Sequence, residues 1–169
     1  MSWSDEHVFS GSESTATISS IPATFDTLLI EIIAKTQQAV TNNTLGLRFN
    51  GDTTATYSAE RLAGVGSSAT GFPSIPGAPS YLYLDMPGAS SGTSFPSTHI
   101  IRVPQYAGTT FPKIGGVSGN LLNGTGAGNH FTYRYTHWWD DTSAIASVTL
   151  YTITGDNFVA QCRLKVSAF

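Results

Sequence analysis

Apolar side chains along this chain recur at every second residue, and that rhythm predicts strands. Phe158, Ala160, Cys162, Leu164 and Val166 alternate with Val159, Gln161, Arg163, Lys165 and Ser167. An extended chain points successive side chains to opposite faces, so this spacing predicts a half-buried strand with Cys162 in its inward row. Residues 144–154 before it are rich in Ile, Val, Thr and Tyr, and Gly155-Asp156-Asn157 separates the two segments with residues suited to a tight turn. The pattern predicts a hairpin there. In 28–35, Leu28, Ile30, Ile32 and Ala34 share one face, while Leu29, Glu31 and Ile33 share the other. That second face is only partly polar, which implies cover from a neighbouring subunit or from the N-terminal segment.

Leu45, Leu47 and Phe49 repeat the rhythm and stop at Asn50-Gly51, a strong turn signal. Ile101 and Val103 do so ahead of Pro104, and Phe131, Tyr133, Tyr135, His137 and Trp139 alternate with His130, Thr132, Arg134, Thr136 and Trp138. A short strand around Ala16 and Ile18 and weaker ones near Tyr57, 81–84 and 114–117 bring the expected total to about eight to ten. No window sustains helical periodicity. Many short strands in a chain this long must pair two sheets to protect their edges. The expected fold is all-β, an antiparallel β-sandwich of jelly-roll type with little or no helix, forming a single domain over 1–169. Within it, 64–96 is crowded with Gly, Pro, Ser and Ala and reads as a long loop excursion that carries contacts.

Composition narrows the function. Charged residues make up 11% of the chain, against roughly 25% in an average globular protein. The surface is therefore mainly hydroxyl, amide and backbone, a composition common in proteins that work against other proteins. Eight Lys and Arg scattered singly, with a net charge of -3, give no basic stripe for several phosphates, so direct nucleic-acid binding is not expected. One cysteine excludes an intramolecular disulfide. The N-terminal Met1-Ser2-Trp3-Ser4-Asp5-Glu6 has neither a basic region nor an apolar run, and no stretch approaches a membrane span. The expectation is a protein made in a cytoplasm, neither exported by a signal peptide nor inserted in a membrane.

Reactive constellations are weak. The segment 124–128 has glycines at the wrong spacing for a phosphate loop and no lysine behind them. His7, His99, His130 and His137 form no HxH or HExxH pair. Asp140-Asp141, Asn50-Gly51-Asp52 and Asp156-Asn157 are oxygen-rich turns, but none has EF-hand spacing and turn-forming Asx residues explain them as well. No GxSxG elbow occurs, and no carboxylate pair stands out for glycoside hydrolysis. The reading is therefore of a non-enzyme, with no catalytic, cofactor or metal residue to name. Candidate partner contacts are Leu29, Ile33, Phe72, Ile75, Tyr81, Tyr83 and Trp138. Trp138 falls on the outward row beside Arg134 and Thr136, where an indole would anchor a sugar ring or a partner, or pack beneath a loop of its own chain.

Four segments carry a family resemblance. Ser20-Ile21-Pro22-Ala23-Thr24-Phe25-Asp26-Thr27-Leu28 resembles the "SIP-x-T-aromatic-x-x-L" entry to the first core strand of a family of tailed-bacteriophage virion structural proteins. Arg48-Phe49-Asn50-Gly51-Asp52 followed by Tyr57-Ser58 is similar to that family's "RFNGD…NYS" hairpin, with Thr56 where Asn is frequent. Val103-Pro104-Gln105-Tyr106-Ala107 with Lys113 resembles its "IPxYA…K", and Trp139 with Thr142, Ala144, Ile145, Ser147, Val148, Leu150 and Gly155-Asp156-Asn157-Phe158 its closing pattern. The terminal "GS…LYGI" is replaced here by Gln161-Cys162-Arg163-Leu164-Lys165-Val166. The resemblance implies a virion component, foremost a head decoration or cement protein that clamps the assembled shell. Its partners would be itself, as a homo-oligomer and by the habit of such proteins a trimer, and the major capsid protein or another virion protein. The alternative it allows is a tail or fibre module that binds host-surface glycan.

Overall fold

A computed structural model describes residues 1–54, 56–65, 68–72, 79–92, 94–124 and 129–169, without the side chains of Thr70 and Phe72. Among them run twelve strands: β1 (Trp3–Val8), β2 (Thr15–Ile18), β3 (Thr27–Ala34), β4 (Asn42–Phe49), β5 (Tyr57–Val65), β6 (Ser68–Phe72), β7 (Leu82–Pro87), β8 (Ser97–Pro104), β9 (Lys113–Leu122), β10 (His130–Trp139), β11 (Val148–Thr152) and β12 (Arg163–Ala168). They form an eight-stranded sheet, β1-β12-β3-β8-β9-β10-β5-β6, and a four-stranded sheet, β2-β11-β4-β7, with antiparallel pairing throughout.

Early strands pair with late ones in nested order: β1 with β12, β2 with β11, β3 with β8 and β4 with β7. That is a long antiparallel ribbon folded over on itself, the wrapping of a jelly roll. Two hairpins interrupt the ribbon, β5–β6 between β4 and β7 and β9–β10 between β8 and β11. Both join the same sheet beyond β8, which is why one sheet is twice as wide as the other.

The core lies where the inward rows meet. Leu28, Ile30 and Ile32 of β3 and Leu164 and Val166 of β12 face Leu45, Leu47, Leu84, Val148 and Leu150 of the small sheet, all essentially without solvent exposure. The wide sheet is closed against the small one along β7. Arg61 on the inward row of β5 donates to Asp85 Oδ2 at 2.8 Å, and the Tyr135 hydroxyl donates to the same oxygen at 3.2 Å. His99 Nε2 lies 2.7 Å from the Asp85 carbonyl. Asp85 is thus tied to β5, β8 and β10.

Four details depart from the sequence reading. β1 was not anticipated: it is an edge strand with both faces largely in solvent, so nothing selects an alternating pattern in it. β11 and β12 do not form a hairpin. They lie in different sheets, and the positive φ of 79° at Gly155 belongs to a corner between sheets. Nor does strict alternation extend back to Phe158, since Ala160 is exposed while Phe158 and Cys162 are buried. Finally, 64–96 is not a loop excursion: it holds the end of β5, β6 and β7. In β7, Leu82, Leu84 and Met86 are buried at period two. Residues 66–67, 73–78 and 93 of that stretch lie outside the described residues.

Candidate functional site

Apart from 155–158, which bonds to Glu13 and Gln37 at the other end, the segments that carry the family resemblance meet at one end of the sandwich, and there they bond to one another. Asn50, in the left-handed conformation at φ 53°, donates from Nδ2 to the Ala144 carbonyl at 2.8 Å and accepts from the Ala146 and Ser147 amides at 2.8 and 3.1 Å. Asn tolerates this backbone geometry better than other non-glycine residues, and its amide replaces the ladder bonds that the turn removes. Asp52 accepts from the Trp139 indole at 2.7 Å and from the hydroxyls of Thr54 and Thr56. Tyr57 stacks 6.2 Å from Trp139, which also touches Phe49. The buried Tyr106 hydroxyl donates to the Pro22 carbonyl, and the Ile145 amide donates to the Tyr106 carbonyl at 3.0 Å.

Lys113 completes this end. Its ammonium, on a residue 3% exposed, donates to the carbonyls of Gly108, Phe111 and Thr142 at 2.6, 3.1 and 3.1 Å. Burial lowers its pKa, with Asp141 opposing that shift. One side chain therefore holds the β8–β9 loop against the segment after β10. Lys113→Met keeps most of the stem but leaves three carbonyls without their donor. It should cost about 3 kcal/mol, read as a lower urea midpoint, and an unchanged midpoint would mean that water replaces the ammonium freely.

These residues are committed to the fold. Asp52 and Asn50, an oxygen-rich turn by sequence, spend their side-chain atoms on backbone, hydroxyl and indole partners. Cys162 is likewise internal: it is 3% exposed, its sulfur accepts from the Lys35 amide at 3.2 Å, and burial pushes its thiol pKa up. Among the described residues no group of three or more His, Cys, Asp or Glu is placed to hold a metal ion.

The outward face of the eight-stranded sheet is different. Register places Arg102, Gly116, Thr136 and Glu60 in one row across β8, β9, β10 and β5. Ile100, Ser118, Arg134, Leu62 and Gly71 form the next row, which continues onto β6. Between the rows runs an open groove of about 880 Å³. Its floor is Gly116, where an added Cβ would meet nothing within 4 Å. Ile100 and Leu62, which line the groove, are 50 and 54% exposed, and on the same sheet face Ile33 and Ile114 are 37 and 59% exposed. By register they are spread over the face, with Ser118 and Arg134 between Ile100 and Leu62 and with Ile33 three rows from Ile114.

The sequence-derived contact residues divide between the two outer faces. Leu29 and Ile33 lie on the outward face of β3, half-buried and exposed respectively, and no segment of the described chain lies over Ile33. The N-terminal strand pairs at the edge with β12 instead of covering them. Trp138 is half-buried on the same face, between Ile114 and Ser58 in register. Tyr81 and Tyr83 lie on the small sheet, where Tyr81 packs edge-on to Tyr151 at 6.1 Å and the Tyr83 hydroxyl accepts from Thr44 at 3.0 Å. The Phe72 side chain and Ile75 lie outside the described residues, as do 125–128. Arg102, Arg134 and Gly116 were not singled out from sequence. They become neighbours only through the β8-β9-β10 register.

No protein-family model and no curated protein matches the chain. Among solved structures it is similar to the Caenorhabditis elegans galectin LEC-6, at 7% identity over 96% of this chain and 94% of that one, with a TM-score of 0.34. Scytalido-glutamic peptidase bound to a peptide-based transition state analog matches at 10% identity over 92% of this chain and 64% of that one, with a TM-score of 0.25. The Eiger TNF from S. frugiperda matches at 7% identity over 98% and 91%, with a TM-score of 0.23.

Proposed function

We propose that this chain is a structural protein of a tailed-bacteriophage virion, a head decoration protein that binds the assembled shell and stabilises it. The observation that carries the reading is that four aliphatic side chains, Ile33, Leu62, Ile100 and Ile114, are exposed on the outward face of the wide sheet. Solvent-exposed aliphatic side chains raise the free energy of the isolated chain and are offset when a partner covers them. The low charge content and the resemblance of four motif segments to tailed-phage virion proteins point the same way. A decoration protein with two or more such contacts, as in a homotrimer, gains effective concentration at each added contact. Because it binds only the assembled shell, it stabilises that shell by mass action.

Purified chain mixed with undecorated heads should bind to a fixed stoichiometry and raise the temperature at which the heads rupture. Ile100→Ser combined with Ile114→Ser should weaken binding while leaving the chain's own melting temperature nearly unchanged, because both side chains point to solvent. Heads that neither take up the wild-type chain nor gain heat resistance would refute the reading.

A further inference from the structure

We infer that the groove on the wide sheet receives an extended acidic peptide segment of the partner protein, held by Arg102 and Arg134. The inference rests on reading this sheet face as the contact surface. Its starting point is how the chain uses its cations. Of the eight Lys and Arg, Arg61, Arg163 and Lys165 face carboxylates of Asp85, Glu6 and Glu31. Arg48 donates to the Ser80 carbonyl and lies over the Tyr151 ring, Lys113 is bound by three carbonyls, and Lys35 reaches the Ser91 hydroxyl. The remaining two, Arg102 and Arg134, both line the groove. Neither has an ion pair among the described residues, and Arg134 donates only to the Ser118 hydroxyl. In a chain of net charge -3, two guanidiniums left on one open surface are a feature to be matched by a partner's carboxylates.

Geometry selects the shape of that partner. The groove crosses from β6 through β5, β10 and β9 to β8, about 19 Å at roughly 4.8 Å per strand spacing, which about six residues of extended chain would span. Arg102 and Arg134 lie two strands apart, about 10 Å along the groove, and in opposite rows. Side chains at i and i+3 of an extended segment are separated by about that distance and point to opposite sides. Ile100 and Leu62 offer apolar contacts beside the arginines, and Glu60 at one end sets a side on which an acid is disfavoured. Among the described residues no aromatic side chain of the outward rows lines the groove, Trp138 standing one row away, and two cations are too few for a nucleic-acid backbone. The peptide is therefore the occupant favoured over glycan or nucleic acid.

The test uses a fluorescein-labelled hexapeptide, Leu-Asp-Ser-Ser-Glu-Leu, its amide counterpart with Asn and Gln in place of the acids, and an oligogalacturonate as an anionic saccharide. Anisotropy should show the acidic peptide binding wild type at least about tenfold more tightly than R102Q/R134Q, with the difference shrinking at high salt. Gly116→Val changes no charge and fits the backbone, and it should block binding by filling the floor. Equal binding of acidic and amide peptides, unchanged binding by either variant, or preference for the oligogalacturonate would overturn the inference. Head binding separates the two readings. If R102Q/R134Q still decorates heads normally, the acidic partner is refuted and the face reading stands. If Ile100→Ser with Ile114→Ser decorates heads normally, the face reading itself is refuted.

Discussion

Asp52→Ala should lower the stability of the chain by about 2–4 kcal/mol, as a charge-assisted hydrogen-bond centre is removed and a buried donor is stranded. The carboxylate accepts the indole N–H of Trp139, a residue 1% exposed, together with the Thr54 and Thr56 hydroxyls and the Thr54 amide. Without it the indole has no acceptor, and the turn between β4 and β5 loses what fixes it to β10. Burial pushes the Asp52 pKa up, but hydrogen bonds from Thr54, Thr56 and Trp139 more than offset that and hold it well below the usual carboxylate range. The folded-state pKa is depressed, so this stabilisation is full above the unfolded value near 3.8 and is lost only as pH falls below it. Urea unfolding at neutral pH would measure the loss. Asp52→Asn, which keeps an acceptor without the charge, should recover part of it. A full recovery by Asn would show that geometry alone matters, and no loss in the alanine variant would contradict the network.

The second large effect is acid sensitivity in a higher pH window. His99 and His137 are 1 and 2% exposed, and burial lowers their pKa values to about 4 and about 3. For His99 the bond to the Asp85 carbonyl opposes that shift; for His137 the Ser58 backbone opposes it and His99 adds to it. His99 Nδ1 and both nitrogens of His137 are buried without a well-formed partner. The groups closing the same region are Asp85, Arg61 and Tyr135. Both imidazoles are neutral in the fold, whereas in the unfolded chain they take up protons near pH 6.5. Stability is then full above about 6.5 and falls as pH drops toward the folded-state values, at up to about 1.4 kcal/mol per pH unit for each histidine. From pH 7 to 4.5 the loss should reach several kcal/mol, before Asp52 begins to protonate. His137→Leu, which has no nitrogen to leave unpaired, should remove about half of the dependence at little cost at pH 7, His99 retaining the rest. A urea midpoint that stays level between pH 7 and 4.5 in the wild-type chain would contradict this.

How far the sequence reaches is visible in these same residues. The alternation in 130–139 placed Trp139 and His137 inward and Trp138 outward, and the structure agrees, because a strand buried on one face admits only one register. It likewise put Leu29 and Ile33 on a face distinct from Leu28 and Ile30. The alternation could not say which sheet a strand joins. Gly155 ends β11 convincingly, but a turn back along the same sheet and a corner into the other use the same turn residues, so a hairpin was expected where the chain changes sheets. Strand β1, at one edge of the wide sheet, lacks the one-sided burial that writes a pattern into sequence. The proposed contact face was half legible for a related reason. Its β3 margin shows as apolar residues in the polar phase of a strand, whereas the Arg102 and Arg134 pair depends on β9 lying between two strands, information no local window holds.

Apart from 155–158, the motif segments behind the family resemblance are mutually bonded fold determinants, from Asn50 with 144–147 to Tyr106 with Pro22. These residues tie the sandwich end, while the surface we propose for partner contact lies elsewhere, on the wide sheet. The proposed role in the shell is tested most directly by counting the chain in purified particles. Quantitative mass spectrometry of virions should find it in a fixed, near-integral ratio to the major capsid protein, on the order of hundreds of copies per head as repeated symmetric contacts require. A handful of copies, or none once the particles are washed free of tails and debris, would contradict the account.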